Sequence, residues 1–406
     1  MQKATALVKS IAHPTEVLAL VDYARRKDGL DVEGDALQWC YDMLAKTSRS
    51  FAVVIQKLHE ELRDPVMVFY LVLRGLDSIE DDMAFPVDQK TDLLHKFHEC
   101  IFEEGWSLDG CGEKEHERVL LRGFGNVVSV FLSLDEKYQK VIADITQRMG
   151  KGMDEFLHRE LVTIEDWDLY CHYVAGLVGL GLSGLFAVSG LESEWFATAD
   201  EASNFMGLFL QKTNIIRDYL EDAHEGRVFW PKEIWSKYAE EITDFIDIDN
   251  SRQALACLNE LITNALEHVP HCIEYMSHIK EPQVFNFCAI PQAMAIATLA
   301  NCFNNHRVFE GVVKLRRGQS LYMMKNMESG MPAVYAVFYQ FACEIENKIN
   351  PADPNSARTR AAVQRIKDLC LPHVPTSTKL WMDVTTTNVL IVTASACAIA
   401  GVCTTC

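Results

Sequence analysis

The acidic pentad D-x-x-E-D occurs twice, as Asp77-Ser78-Ile79-Glu80-Asp81 and as Asp218-Tyr219-Leu220-Glu221-Asp222, each time at the end of an apolar stretch with helical spacing. On a helix, aspartates at i and i+4 point the same way and can share a hard cation with a phosphate. Val66 to Leu73 is an unbroken apolar run, and the face that carries Asp81 also carries Asp77, Arg74 and Tyr70. The stripe behind Asp222 is Asp218, Asn214 and Gln211. Each is a narrow polar seam on an otherwise greasy helix. Unpaired carboxylates are too costly to bury in a core, so such a seam should face an internal cavity. Two opposed seams concentrate negative charge, and Mg²⁺ relieves it by bridging carboxylates to substrate phosphates. The metal ligands expected are Asp77, Glu80, Asp81, Asp218 and Asp222, with Arg49, Arg74 and Arg217 taking the remaining diphosphate oxygens. The plain alternative is a pair of surface acidic faces; the repetition of the motif and its arginines argues against it.

Apolar residues recur at three- and four-residue spacing from Asp35 to Arg365, with little proline and few alternating β-branched runs, which predicts an all-α fold. Loops are expected at Asp64-Pro65, Ser107 to Gly112, Gly226 to Pro231, Glu281-Pro282 and Asn350 to Asn355. None is long enough for a domain linker, so residues 1–380 read as one catalytic domain. With 38 Lys+Arg against 57 Asp+Glu and a net charge of -19, the chain carries no basic stripe for nucleic acid. The 13 cysteines are scattered and read as buried thiols of a reducing compartment; Cys403 to Cys406, the one C-x-x-C, suits neither zinc nor prenylation. Charged residues interrupt the first thirty positions, so no cleaved targeting segment is expected. Two stretches resemble membrane spans. Val174 to Leu191 is uncharged and glycine-rich but lies between charged helices, which favours a buried helix. The tail, residues 381–406, carries no charge from Val384 to Cys406, follows Lys367 and Lys379, and reads as a C-terminal hydrophobic helix that anchors the protein in a membrane.

Five blocks carry a family resemblance: Thr47 to Phe51, Phe69 to Met83 (FYLVLRGLDSIEDDM), Tyr170 to Gly179 (YCHYVAGLVG), Gln211 to Asp222 (QKTNIIRDYLED) and Val284 to Gln292 (VFNFCAIPQ). In order and spacing they resemble the squalene synthases (farnesyl-diphosphate farnesyltransferases). That resemblance implies an isoprenoid-synthase helical bundle around a central cavity. It also implies head-to-head condensation of two farnesyl diphosphates to presqualene diphosphate, then rearrangement and reduction by NADPH to squalene. By similarity, Tyr170 is the candidate proton acceptor, and Phe287 the cation stabiliser of the second half-reaction. Phe51 and Tyr70 are candidate walls of a dry, π-rich cavity, together with Phe285, Cys288 and Pro291. Lys314-Leu315-Arg316-Arg317-Gly318-Gln319 resembles the family's cofactor segment, and Lys314 and Arg316 are the chosen NADPH cations, with Arg49, Arg74 and Arg217 shared between diphosphate and cofactor. The resemblance further implies a monomer at the endoplasmic reticulum membrane with its catalytic domain facing the cytosol.

Gly179 to Gly184 satisfies G-x-G-x-x-G, but a dinucleotide fingerprint needs a preceding strand, and the flanks here read as continuous helix. Helix packing is the expected role. Phytoene synthase, which needs no reductant, is the nearest enzymatic rival. A non-catalytic membrane-anchored helical scaffold is the alternative from a different class.

Overall fold

The computed structural model describes residues 34–374, and among them there is no strand. The expectations for the first thirty residues and for the tail 381–406 lie outside the described residues. The N-terminal helices are α1 (Asp35–Thr47), α2 (Arg49–Ile55), α3 (Glu60–Asp81), α4 (Val87–Cys100), α5 (Glu115–Arg122), α6 (Gly125–Ser133) and α7 (Glu136–Leu157). Next come α8 (Ile164–Cys171), a π-helical turn (His172–Gly176) and α9 (Leu177–Ser189), which run on without a loop. The C-terminal helices longer than about one turn are α10 (Asp200–Arg217), α11 (Tyr219–His224), α12 (Ser251–Leu266), α13 (Val269–Ser277), α14 (Pro282–Cys302), α15 (Arg317–Met327), α16 (Met331–Lys348) and α17 (Ser356–Cys370).

Helix α3 is the hub of the first group and packs on α1, α4, α6, α7 and α9. The His59 side chain accepts from Glu61 N–H at 3.2 Å, and Glu60 and Glu61 place negative charge in the first turn, so the helix starts well satisfied. The Asp64-Pro65 dipeptide, expected as a loop, lies inside this helix. Pro65 forgoes a hydrogen bond there. Burial of Pro65 to Phe69 and the Tyr41 hydroxyl donating to Asp64 outweigh that local preference.

Helix α10 is the hub of the second group, against α9, α12, α13 and α14. The α8–α9 run lies between the hubs, touching α3 and α7 on one side and α10 on the other. Its glycines make that possible. A Cβ on Gly179 would stand 2.2 Å from the Ser203 carbonyl oxygen, and one on Gly181 would stand 2.3 Å from the Phe69 ring. From the facing helix, a Cβ on Gly207 would stand 2.2 Å from the Ala175 oxygen. The G-x-G-x-x-G string is therefore a packing surface within continuous helix. By length and composition Ile164–Ser189 and Pro282–Cys302 could each cross a membrane; both are internal helices packed against others. The ten cysteines among the described residues are free thiols, all buried except Cys343.

Gly207→Ala, which drives a methyl into the Ala175 carbonyl, should destabilise the protein by about 1–3 kcal/mol in urea unfolding. Gly311→Ala, where a Cβ meets nothing within 4 Å, should be nearly neutral in the same measurement.

Candidate active site

The α3 seam is a sharply defined feature. From Pro65 to Ile79 every side chain is buried except Tyr70, Arg74 and Asp77, and Glu80 and Asp81 continue the accessible strip to the helix end. On α10, Leu210, Gln211, Asn214 and Arg217 stay accessible while Met206 to Phe209, Lys212, Thr213, Ile215 and Ile216 are buried. The second motif does not sit on one uninterrupted helix. Asp218 leaves helical geometry (φ -94, ψ 10) between α10 and α11. The register survives because Asp218 N–H donates to the Asn214 oxygen at 2.9 Å and Asp222 N–H to the Asp218 oxygen at 3.1 Å.

Three arginines hold the carboxylates. Arg74 donates to Asp77 at 2.7 Å and to the buried Glu117 at 2.7 Å. Arg217 forks onto Asp218, Nε to Oδ1 at 2.8 Å and Nη2 to Oδ2 at 2.5 Å. Arg227 spans the two motifs, reaching Asp81 Oδ1 at 3.1 Å and Asp222 Oδ1 at 3.5 Å, and pairs with Glu225. Arg227 and Glu117 are functional side chains that no motif in the sequence singles out. Arg227 is the one cation in the Gly226 to Pro231 loop, five residues beyond Asp222, a signal that spacing arguments for helices do not weigh. Glu117 hides in a short helix, where it also accepts from Lys114 N–H at 3.0 Å. Asp82, beside the first motif, is architectural: it is buried and accepts from Ala84, Phe85 and Gly112 N–H groups.

The seam is electrostatically uncompensated. Burial, then Asp81 and Asp77, push Glu80 up to about 8. Burial and Asp77 raise Asp81 to about 7, and burial raises Asp222 to about 7 although Arg227 opposes it. Burial also raises Asp77, against Arg74. Among the described residues no three carboxylate, histidine or cysteine groups are arranged to hold an ion by themselves. The carboxylate oxygens of the two motifs are hard donors of the kind Mg²⁺ takes, one or two at a time together with substrate phosphates and waters. Nε of Arg74 and Nε of Arg227 are buried without an acceptor, donors that an anionic ligand would satisfy.

Tyr170, in α8, is buried and stacks on Phe229 with ring centroids 5.3 Å apart and edge-on to Phe156 at 5.4 Å. Its phenol is held well above the ordinary range by burial and then by Glu80, Asp81 and Asp77, so it lies in the field of the first motif. Phe287, on α14, is buried edge-on to Phe186 at 6.4 Å, and Phe285 and Cys288 are buried on the same helix. Phe51 is partly exposed on α2, which packs on α14. Arg49 opens α2, and its side chain lies outside the described residues. Lys314 and Arg316 are exposed in the non-helical segment that leads into α15, with Arg316 as the residue before its first turn. Helix α15 in turn packs on α14.

A family model for squalene/phytoene synthase matches residues 44–319. The squalene synthase of Dictyostelium discoideum is 50% identical over 370 residues, covering 90% of this chain and 89% of that protein. The squalene synthase of Homo sapiens is 49% identical over 373 residues, with the same coverage of 90% and 89%. A solved structure described as the complex of TcSQS with ligand E5700 superposes with a TM-score of 0.82 at 44% identity, covering 84% of this chain and 99% of that one.

The raised carboxyls fix a pH dependence. An acid whose pKa is higher folded than unfolded contributes stability that is intact below about 4 and is lost as pH rises through the folded value. With metal chelated, thermal stability should therefore fall between about pH 4 and pH 8, the window set by Asp81, Asp222 and Glu80. Asp81→Asn should recover on the order of 2 °C at pH 8 and nothing at pH 4, read by thermal denaturation in chelator.

Proposed function

The chain belongs to the squalene/phytoene synthase family, and we propose that it condenses two farnesyl diphosphates to presqualene diphosphate and reduces that product with NADPH to squalene. It is an all-α prenyltransferase of isoprenoid and sterol biosynthesis. The observation that carries the site reading is Arg227 joining Asp81 of the first motif to Asp222 of the second, with the buried phenol of Tyr170 in the field of the first motif.

Asp77, Glu80, Asp81, Asp218 and Asp222 would hold Mg²⁺ jointly with the substrate, and the bound ion would supply the charge neutralisation that lets diphosphate leave. Arg74, Arg217 and Arg227, with Arg49, orient the diphosphate oxygens by bidentate hydrogen bonds. Tyr70, Phe51 and Phe287 present π faces to the hydrocarbon and exclude water from the allylic cation. Tyr170 stays a neutral phenol, because its burial and the surrounding carboxylates oppose ionisation. Its role is to accept the proton released on cyclopropane closure while passing its own to the departing diphosphate, a relay that needs no phenolate. Phe287 stabilises positive charge in the second half-reaction. Lys314 and Arg316 would hold the NADPH phosphates, and the bound cofactor would supply the hydride. The tail 381–406 anchors the enzyme in the endoplasmic reticulum membrane, catalytic body towards the cytosol.

Full-length enzyme with farnesyl diphosphate and Mg²⁺ should accumulate presqualene diphosphate, and squalene once NADPH is added; preferential formation of phytoene from geranylgeranyl diphosphate would sink this reading. Asp77→Asn, Asp218→Asn and Tyr170→Phe should each lower first-step kcat by roughly 10²-fold or more. Arg316→Ala should raise KM for NADPH and leave the rate of presqualene diphosphate formation unchanged.

A further inference from the structure

Helix α10 touches the segment around Tyr170 at two polar points that the mechanism above does not use. Lys212 has no exposed surface, a rare state for this residue type. Its Nζ pairs with the Asp168 carboxylate, donates to Asn264 Oδ1 at 2.5 Å and to His268 Nε2 at 2.9 Å, and lies 4.5 Å from the centre of the Trp167 ring. Burial and Lys212 hold the His268 imidazole well below its usual range, so the ring is neutral and free to accept. The second point is Asn204, whose Oδ1 accepts from His172 Nδ1–H at 2.8 Å. The π-helical turn is pressed against it: a Cβ on Gly176 would stand 2.0 Å from the same Oδ1.

Asp168 and His172 stand two residues before and two residues after Tyr170. They lie at i and i+4, and their partners on the antiparallel α10 come in reverse order. The π turn that begins at His172 is a rare geometry, found mostly as single-turn bulges and frequently at functional sites. A proton-transfer residue must sit within hydrogen-bond reach of its target, and a displacement of about 1 Å can cost on the order of 10²-fold in rate.

We propose that Lys212 and Asn204 are positioning residues for Tyr170, clamping its segment to α10 so that the phenol and the second aspartate motif, at the end of the same helix, form one rigid body. Its catalytic consequence rests on the role given to Tyr170 above; the positioning itself can be measured separately. The full chain is made with 3-fluorotyrosine at position 170 and compared by ¹⁹F NMR in three forms: parent, Lys212→Met with Asp168→Leu, and Asn204→Ala. The double variant removes both charges, the buried ammonium of Lys212 and its half-exposed partner Asp168, so neither is left unpaired. The parent should give one sharp resonance, and each variant should give a shifted or dispersed one while remaining folded. First-step kcat should fall about 10-fold or more with KM for farnesyl diphosphate unchanged. Adding Tyr170→Phe to the double variant should cost much less than it does in the parent, as expected of coupled residues. A folded variant with an unmoved resonance at position 170 overturns the proposal, whatever its turnover. A dispersed resonance with intact turnover supports the clamp and instead removes Tyr170 from the chemistry. Because Asn204→Ala deletes no charge, it carries the same measurement if the double variant does not fold.

Discussion

Carboxylates that cannot be neutralised by the protein alone organise this molecule. From Pro65 onward helix α3 is buried except for a narrow strip lined by Tyr70, Arg74, Asp77, Glu80 and Asp81. Burial lifts Glu80 and Asp81 into the neutral pH range, a sign that their negative charge is short of compensation. Arg74 and Arg227 offset only part of it. A site built this way is poised to take a divalent cation and a diphosphate together, because each corrects the charge the other introduces.

Geometry around that strip follows from the α8–α9 run. Gly179 and Gly181 bring it to backbone distance of α10 and to the Phe69 ring of α3, so one helix braces the carriers of both motifs. Tyr170 rides on the same run, which places a buried phenol in the field of the acidic strip without a flexible loop. The cost is a helix so apolar and glycine-rich that, taken alone, it passes for a membrane span.

Helical periodicity made the seams legible in the sequence, since Tyr70, Arg74, Asp77 and Asp81 fall on one face whatever the tertiary fold. The same reasoning separated Gly179 to Gly184 from a dinucleotide loop. It failed where local preference and tertiary burial disagree: Asp64-Pro65 suggested a loop, but the hydrophobic run after it carries the helix through. It also drew Gln211 to Asp222 as one continuous helix, whereas the chain departs from helical geometry at Asp218.

By itself the sequence determined the helical class, the two acidic motifs, their polar stripes and the resemblance that names the substrate, because each depends on residues close together along the chain. Only the tertiary structure decided that Arg227 would join Asp81 to Asp222, that Glu117 would hold the far side of Arg74, and that Lys212 would bury its charge against Asp168, Asn264 and His268. All but the Arg227–Asp222 pair are distant in sequence, and a charge–charge or hydrogen-bonded contact leaves no periodic trace. It exists only once packing has brought the groups within about 3 Å of each other.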